Sequence, residues 1–274
     1  MNVAIIGCGY VGTAVARHWL QNKGLVVTVT TTTPERVPVL ESMGLGVVVV
    51  KGNDLEGLKS VVQNQDTVLL SVGAANAQVY EETYLHTAQT LISVLKQVTT
   101  VRQLIYTSSY ALYGDKGGAW VDETSPLAPA TPNAELLAET EQVLLSASSP
   151  QMGVCILRLG GIYGANRELQ KIFSRVAGRT RPGNGGEITN WIHLDDIVGA
   201  IEFARLHRLQ GIYNLVDDTQ STYRELLNQV CERHSLAQVS WDESLPSTRS
   251  YNVRVSNQKL KDAGYQFIQP ERIV

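Results

Sequence analysis

Val3-Ala4-Ile5-Ile6-Gly7-Cys8-Gly9-Tyr10-Val11-Gly12 sets an apolar, β-branched run before a G-x-G-x-x-G loop, and a helical pattern follows over 13–21. This order gives each glycine a task. Gly7 permits the tight turn, Gly9 lets a pyrophosphate approach the backbone, and Gly12 lets the helix pack on the strand. The pyrophosphate would then sit at the helix N-terminus, where free N–H groups and the helix dipole favour an anion, with Tyr10 and Val11 of the loop among the cofactor-binding residues. A tight strand-to-helix turn with no ligand is the alternative. A dinucleotide reading requires that the loop sit at the first strand of a βαβ series.

The rest of the chain supplies that series. Strand patterns at Asn2–Ile6, 25–31, 47–50, 67–72, 103–108 and 154–159 alternate with helical patterns at 34–43, 55–64, 80–97 and 134–146. The run 47–50 reads as a buried strand, and Thr33 reads as an N-cap before Pro34. The rhythm predicts an α/β fold with a Rossmann-type, doubly wound parallel sheet. Beyond Gly164 the pattern changes. Residues 178–190, rich in Gly, Arg, Pro and Asn, read as loop; 195–205 and Tyr223–Arg233 read as helices, and 212–216 as a strand. We expect a nucleotide-binding core at 1–165 with 190–216 returning to it. A smaller, discontinuous C-terminal substrate lobe takes 166–189 and 217–274.

Composition narrows the function. At about 150 residues per domain, 274 residues make one large or two small domains. Lys and Arg number 23 against 26 Asp and Glu, a net charge of −3, which argues against a strongly basic nucleic-acid binder. Charged residues are 18%, below the usual ~25%, which suits strands buried on both faces. Cys8, Cys155 and Cys231 are odd in number and widely spaced. They imply neither a disulfide framework nor a zinc pattern, and read as free thiols in a reducing cytosol. No apolar run approaches the ~18 residues of a membrane span. The first residues lack a basic stretch and glycines interrupt their apolar run, so no signal peptide is expected. The expectation is a cytoplasmic protein with no metal, membrane or nucleic-acid partner.

The second strand ends Thr28-Val29-Thr30-Thr31-Thr32-Thr33. NAD binders place an acid there for the ribose 2′-OH. The hydroxyls of Thr31 and Thr32 and the guanidinium of Arg36 suit a 2′-phosphate better, so the reading leans to NADP over NAD. The alternative takes the threonines as strand formers and Arg36 as a solvated helix residue.

Further along come Tyr106-Thr107-Ser108-Ser109-Tyr110-Ala111-Leu112-Tyr113-Gly114, then Leu157-Arg158-Leu159-Gly160-Gly161-Ile162-Tyr163-Gly164, then Ile192-His193-Leu194-Asp195-Asp196. With the glycine loop, these motifs in this order resemble the extended short-chain dehydrogenase/reductases of the NAD-dependent epimerase/dehydratase family. The resemblance covers residues 1–216 and continues more loosely to the end. It implies that Ser109, with Ser108 beside it, hydrogen-bonds the substrate oxygen. It implies that Ser71, Val72, Gly73 and Thr107 lie along the cofactor, and Asn53 and Asp54 near the adenine. Leu159, Gly160, Gly161 and Ile162 would line the nicotinamide pocket. His193, Asp195 and Asp196 would tie the smaller lobe to the sheet, and the 80–97 and 134–146 helices would pair in a homodimer. An ordinary polar strand end is the alternative for the two serines.

One feature of that family is missing. Its enzymes carry Tyr-x-x-x-Lys on the helix after the serine strand. There the lysine lowers the phenol's pKa from about 10 so that it exchanges a proton near neutrality. Here no Tyr lies between Tyr113 and Tyr163, and no Lys between Lys116 and Lys171. None of the eleven tyrosines is followed by Lys four residues on. Aligning Glu141 with the family's later Glu sets Asn133 and Leu137 in the two places, so the chain resembles the family's atypical members. Asn133 can donate a hydrogen bond but cannot titrate. Glu135 and Glu139 share a helix face, where burial would raise a carboxyl pKa; a solvated acidic face is the alternative. Tyr110 flanks the serine. Arg175, Arg179 and Arg181 can hold an anion or form a solvated cluster. Two functions remain: an NAD(P)-dependent oxidoreductase or epimerase-like enzyme acting without the pair on a small carbonyl, alcohol or sugar-like substrate, and a non-catalytic NAD(P)H sensor.

Overall fold

A computed structural model describes residues 1–274. Seven strands form one sheet: β1 (Asn2–Ile6), β2 (Val26–Thr31), β3 (Gly46–Val49), β4 (Thr67–Leu70), β5 (Gln103–Ser109), β6 (Gly153–Leu159) and β7 (Gly211–Leu215). Their spatial order is β7-β6-β5-β4-β1-β2-β3. β1 runs parallel to β2 and β4, β2 to β3, and β4 to β5. The chain moves outward from β1 to β3 and then crosses to the far side of β1. Open α/β sheets bind ligands at such a switch point, outside the carboxyl ends of the strands.

The helices are α1 (Tyr10–Leu20), α2 (Leu55–Val62), α3 (Thr87–Leu95), α4 (Pro132–Leu145), α5 (Leu194–His207) and α6 (Tyr223–Arg233), with shorter turns between. On one face of the sheet, Val68, Leu70, Leu104, Tyr106, Val154 and Ile156 pack with Leu58, Leu91 and Leu144 from α2, α3 and α4. Fully buried strands read as near-continuous apolar runs for this reason.

The molecule divides into two compact units, one of residues 1–108, 132–158 and 200–213, the other of 109–131, 159–199 and 214–274. The division differs from the expected 1–165 core. Residues 109–131 and 159–165 belong to the second unit, and of 190–216 only 200–213 belong to the first. The reason is that the second unit is woven from parallel pairs of distant segments: Asp115–Val121 with Asn252–Val255, Gly161–Tyr163 with Trp191–His193, and Thr180–Pro182 with Ser240–Asp242.

Local expectations are revised in four places. β3 is the edge of the sheet, not a buried strand, and Val49 is 49% exposed, because the chain leaves β3 to cross over and no eighth strand covers it. The helix expected over 34–43 is a 3₁₀ turn at Pro34–Arg36 and a short helix at Val37–Glu41, and Thr33 makes no side-chain cap. Pro38, which lacks an N–H, falls inside this stretch. The helix expected over 80–97 contains a π-helical turn at Glu82–His86 before α3. The stretch 178–190 is not all loop, since Thr180–Pro182 and Ile188–Thr189 form strands.

One buried charge pair sits in the first unit. Arg158 of β6 donates from Nε and Nη2 to the Glu141 carboxylate of α4, with Nη2 2.7 Å from Oε2 and both side chains 3% exposed. Removing one partner strands the other in an apolar layer. Glu141→Leu is therefore expected to lower the unfolding free energy by about 3–5 kcal/mol, and Glu141→Leu with Arg158→Met to recover most of that loss, both read by urea denaturation.

Candidate functional site

The glycine loop leaves β1 through contacts that allow no side chain at two of its three glycines. Gly7 has φ +94°, and a Cβ there would lie 2.5 Å from the carbonyl oxygen of Ser71. A Cβ on Gly12 would lie 2.3 Å from the carbonyl oxygen of Gly7. At Gly9 a Cβ would meet nothing within 4 Å. The loop is held from β2: the Gly7 N–H donates to Thr30 Oγ1 at 3.0 Å, and the Cys8 N–H to the Thr30 carbonyl at 2.9 Å. Thr30 is buried, and the sequence reading passed over it for Thr31 and Thr32. The signal was the β-branched run itself, which does not say which hydroxyl turns inward.

Gly9 is the N-cap of α1, which has no side-chain cap and no acidic residue in its first turn. Its leading N–H groups therefore lack the usual side-chain acceptor. Arg36 Nη1 donates to the Cys8 carbonyl at 2.6 Å, and Nη2 lies 3.4 Å from Thr13 Oγ1. A cation is thus fastened to the loop. Burial pushes the Cys8 thiol up, so it stays protonated.

Other expected residues are spoken for locally. Thr31 Oγ1 accepts the Thr33 N–H at 3.1 Å, and Thr32 is exposed. Asp54 caps α2 by accepting the Gly57 N–H at 3.0 Å, and Asn53 donates to Glu82 at 3.0 Å. Thr107 donates to Ser71 Oγ at 3.1 Å, while Gly73 is exposed and unobstructed. Val72 is half-buried against the core.

At the end of β5, Ser108 Oγ is buried and bonded to nothing, as is the hydroxyl of Tyr106 two residues earlier. Ser109 Oγ accepts the Ala111 N–H at 3.2 Å, capping the turn Tyr110–Tyr113. That leaves its proton free to donate. Tyr110 is buried, and burial, then the nearby Tyr251, push its phenol up, against the opposing Arg249. It is not poised as a proton donor near neutrality. Asn133 is half-buried in the first turn of α4, while Glu135 and Glu139 are exposed, which corrects the idea of a buried acid there. Leu137 is buried.

Gly160 and Gly161 have a packing duty. A Cβ on Gly160 would meet the Trp191 backbone at 2.8 Å, and one on Gly161 the Trp191 ring at 2.8 Å. Leu159 is buried and Ile162 half-buried. Asp196 is wholly buried and accepts from Tyr265 Oη at 3.0 Å, Ile268 N at 2.7 Å and Gln269 N at 2.9 Å. It fastens the C-terminal tail.

Residues 3–215 match the NAD dependent epimerase/dehydratase family. The chain belongs to this family. A dTDP-glucose 4,6-dehydratase of Streptomyces griseus is 26% identical over 167 residues, 57% of this chain, and the match spans half the length of that relative. The fold is shared with UDP-glucose 4-epimerase of Thermus thermophilus, solved with NAD, at TM-score 0.78 and 24% identity over 97% of this chain and 94% of that one. It is shared equally with a functionally unknown conserved protein of Silicibacter pomeroyi, at TM-score 0.78 and 23% identity over 98% and 94%. No helix of this family member is long and apolar enough to cross a membrane.

The three glycines should respond differently to alanine. Gly12→Ala and Gly7→Ala are expected to cost about 1–3 kcal/mol through forced backbone shifts, whereas Gly9→Ala should cost less than about 1 kcal/mol. Thermal unfolding of the three variants checks this.

Proposed function

We propose that the chain is an NAD(P)-dependent oxidoreductase or epimerase-like enzyme. It acts on a small carbonyl, alcohol or sugar-like substrate by a route that does not use a Tyr–Lys pair. The observation that carries this reading is the open position at Gly9, facing the uncapped start of α1. The start of a helix with no side-chain cap, at the positive end of the helix dipole and with no side chain in front of it at Gly9, fits a pyrophosphate. The NAD complex of the Thermus thermophilus epimerase supports it.

Gly7, Gly9 and Gly12 would hold the pyrophosphate, with Tyr10 and Val11 supplying the first helical N–H groups. Arg36, anchored on the Cys8 carbonyl, gives the loop a fixed cation and favours NADP through its 2′-phosphate. The nicotinamide, when bound, supplies or accepts a hydride. Ser109 donates its hydroxyl proton to the substrate oxygen while its lone pair keeps the Ala111 N–H. Reduction of a reactive carbonyl needs orientation more than strong acid catalysis, so a serine with water as the final proton source suffices. Three buried cysteines, none in a disulfide, suit a reducing cytoplasm.

Titration of NADPH and NADH, followed by fluorescence and thermal shift, tests the reading. NADPH is expected to raise Tm by binding the native state, and Gly9→Asp to abolish the effect. Arg36→Met should weaken NADPH by about ten-fold, the worth of one charge-assisted hydrogen bond, and leave NADH little changed. A preference for NADH would remove the case for NADP. Absence of binding by either would make the loop a structural turn. Oxidation of NADPH in a carbonyl-substrate screen separates an enzyme from a protein that only binds the dinucleotide.

A further inference from the structure

Three phenols of the first unit gather near the carboxyl ends of β4 and β5. Tyr84 lies in the π-helical turn Glu82–His86, which packs against α4. Thr87 fastens that turn by donating its hydroxyl to the Glu82 carbonyl at 3.1 Å. The Tyr84 hydroxyl oxygen accepts the backbone N–H of Ala74. Ala74 comes two residues after Val72, and Ser71 and Val72 abut Gly7 of the glycine loop. Tyr80 stacks on Tyr84, with ring centres 4.5 Å apart and planes tilted by 38°. Both rings are half-buried. Tyr106 pairs with Leu70, the last residue of β4. Burial, then the neighbouring Tyr84, push its phenol well up, and its hydroxyl and that of Ser108 are buried without partners. Single π turns occur mostly at functional sites, and a buried polar group without a partner calls for an explanation beyond packing.

The position of Tyr84 selects one half of a dinucleotide. A dinucleotide lies across the switch point of an open sheet, with its adenine ribose at the end of the second strand. Here that strand is β2, followed by Arg36, on one side of β1, and β4 and β5 lie on the other. Tyr84 therefore stands on the side that receives the second nucleoside. Burial pushes its phenol up, so it keeps its proton near neutrality. With the Ala74 N–H on its oxygen, that proton is left to donate. Helix α4, against which the turn packs, brings neither tyrosine nor lysine to this side. We propose that Tyr84 binds the nicotinamide half of the dinucleotide, its hydroxyl donating a hydrogen bond to that nucleoside. The assignment rests on the dinucleotide reading above and gives a residue to the half of the cofactor that the glycine loop and Arg36 do not reach.

The test is calorimetric titration of NADPH and of 2′,5′-ADP, which carries only the adenine half, into the full chain and its Tyr84→Phe variant. Phenylalanine keeps the ring and removes the donor. NADPH is expected to bind the variant about five-fold more weakly, the worth of one neutral hydrogen bond, while 2′,5′-ADP binds both proteins equally. A crystal structure of the wild-type chain with NADPH, which needs no variant to fold, should place the Tyr84 hydroxyl within hydrogen-bond distance of the nicotinamide nucleoside. Equal NADPH affinity in the two proteins, an equal loss for NADPH and 2′,5′-ADP, or a Tyr84 hydroxyl turned away from the nicotinamide nucleoside would overturn the assignment and leave the dinucleotide reading in place. If NADPH fails to bind wild type, that reading falls and the assignment falls with it.

Discussion

Two close backbone approaches govern the carboxyl end of the sheet. The space a side chain would take at Gly7 is filled by the Ser71 carbonyl, and the space at Gly12 by the carbonyl of Gly7. β1 can therefore end against β4 while α1 folds back onto β1. Thr30 draws in β2 by taking the Gly7 N–H on its hydroxyl and the Cys8 N–H on its carbonyl. Three strands are thus locked at one point, and the only freedom left in the loop is the unobstructed face of Gly9. The anion binding proposed for the loop would follow from packing. The loop is shaped by what it must avoid, and the opening that remains faces helix N–H groups without a side-chain cap.

The chemistry of this family member departs from the expected pattern on α4. Leu137, which alignment on Glu141 would set in the place of the family's lysine, is an apolar residue and is buried. The charge that α4 does bury is Glu141, and Arg158 neutralises it from β6. Below, on alternate positions of β5 that share one face, the Tyr106 and Ser108 hydroxyls have no partners. Unsatisfied buried hydroxyls are uncommon in native proteins. Ser109, on the other face, keeps a free proton beside its capping bond. Under the proposed function, this arrangement suits hydrogen-bond donation to a substrate oxygen rather than titration of a phenol.

In the second unit, buried polar groups do the work that long strands do in the first. Its strand pairs are short, and two-stranded pieces are marginal by themselves. Asn190 bridges to the strand 252–255, donating to the Val253 carbonyl at 2.9 Å and accepting the Val255 N–H at 3.1 Å. Asp196 collects three donors from the tail, and Asp217 holds Arg272 within a group that includes Thr189, Ser221 and Thr219. Each of these anchors is fully paired.

The sequence alone determined the layered α/β fold, the glycine loop and the absence of the Tyr–Lys pair. These are written in local spacing: strand period, helix period, glycines two and three residues apart, and a lysine that is simply missing. It also located the serines at the end of β5. It did not determine that β3 is an edge, since a short apolar run reads the same whether one side or both are covered. Nor did it select Thr30 from a run of threonines, or show that Asp54 is spent on a helix cap. Only the tertiary structure decided these points, because partnership between distant side chains depends on chain crossings that no local pattern encodes.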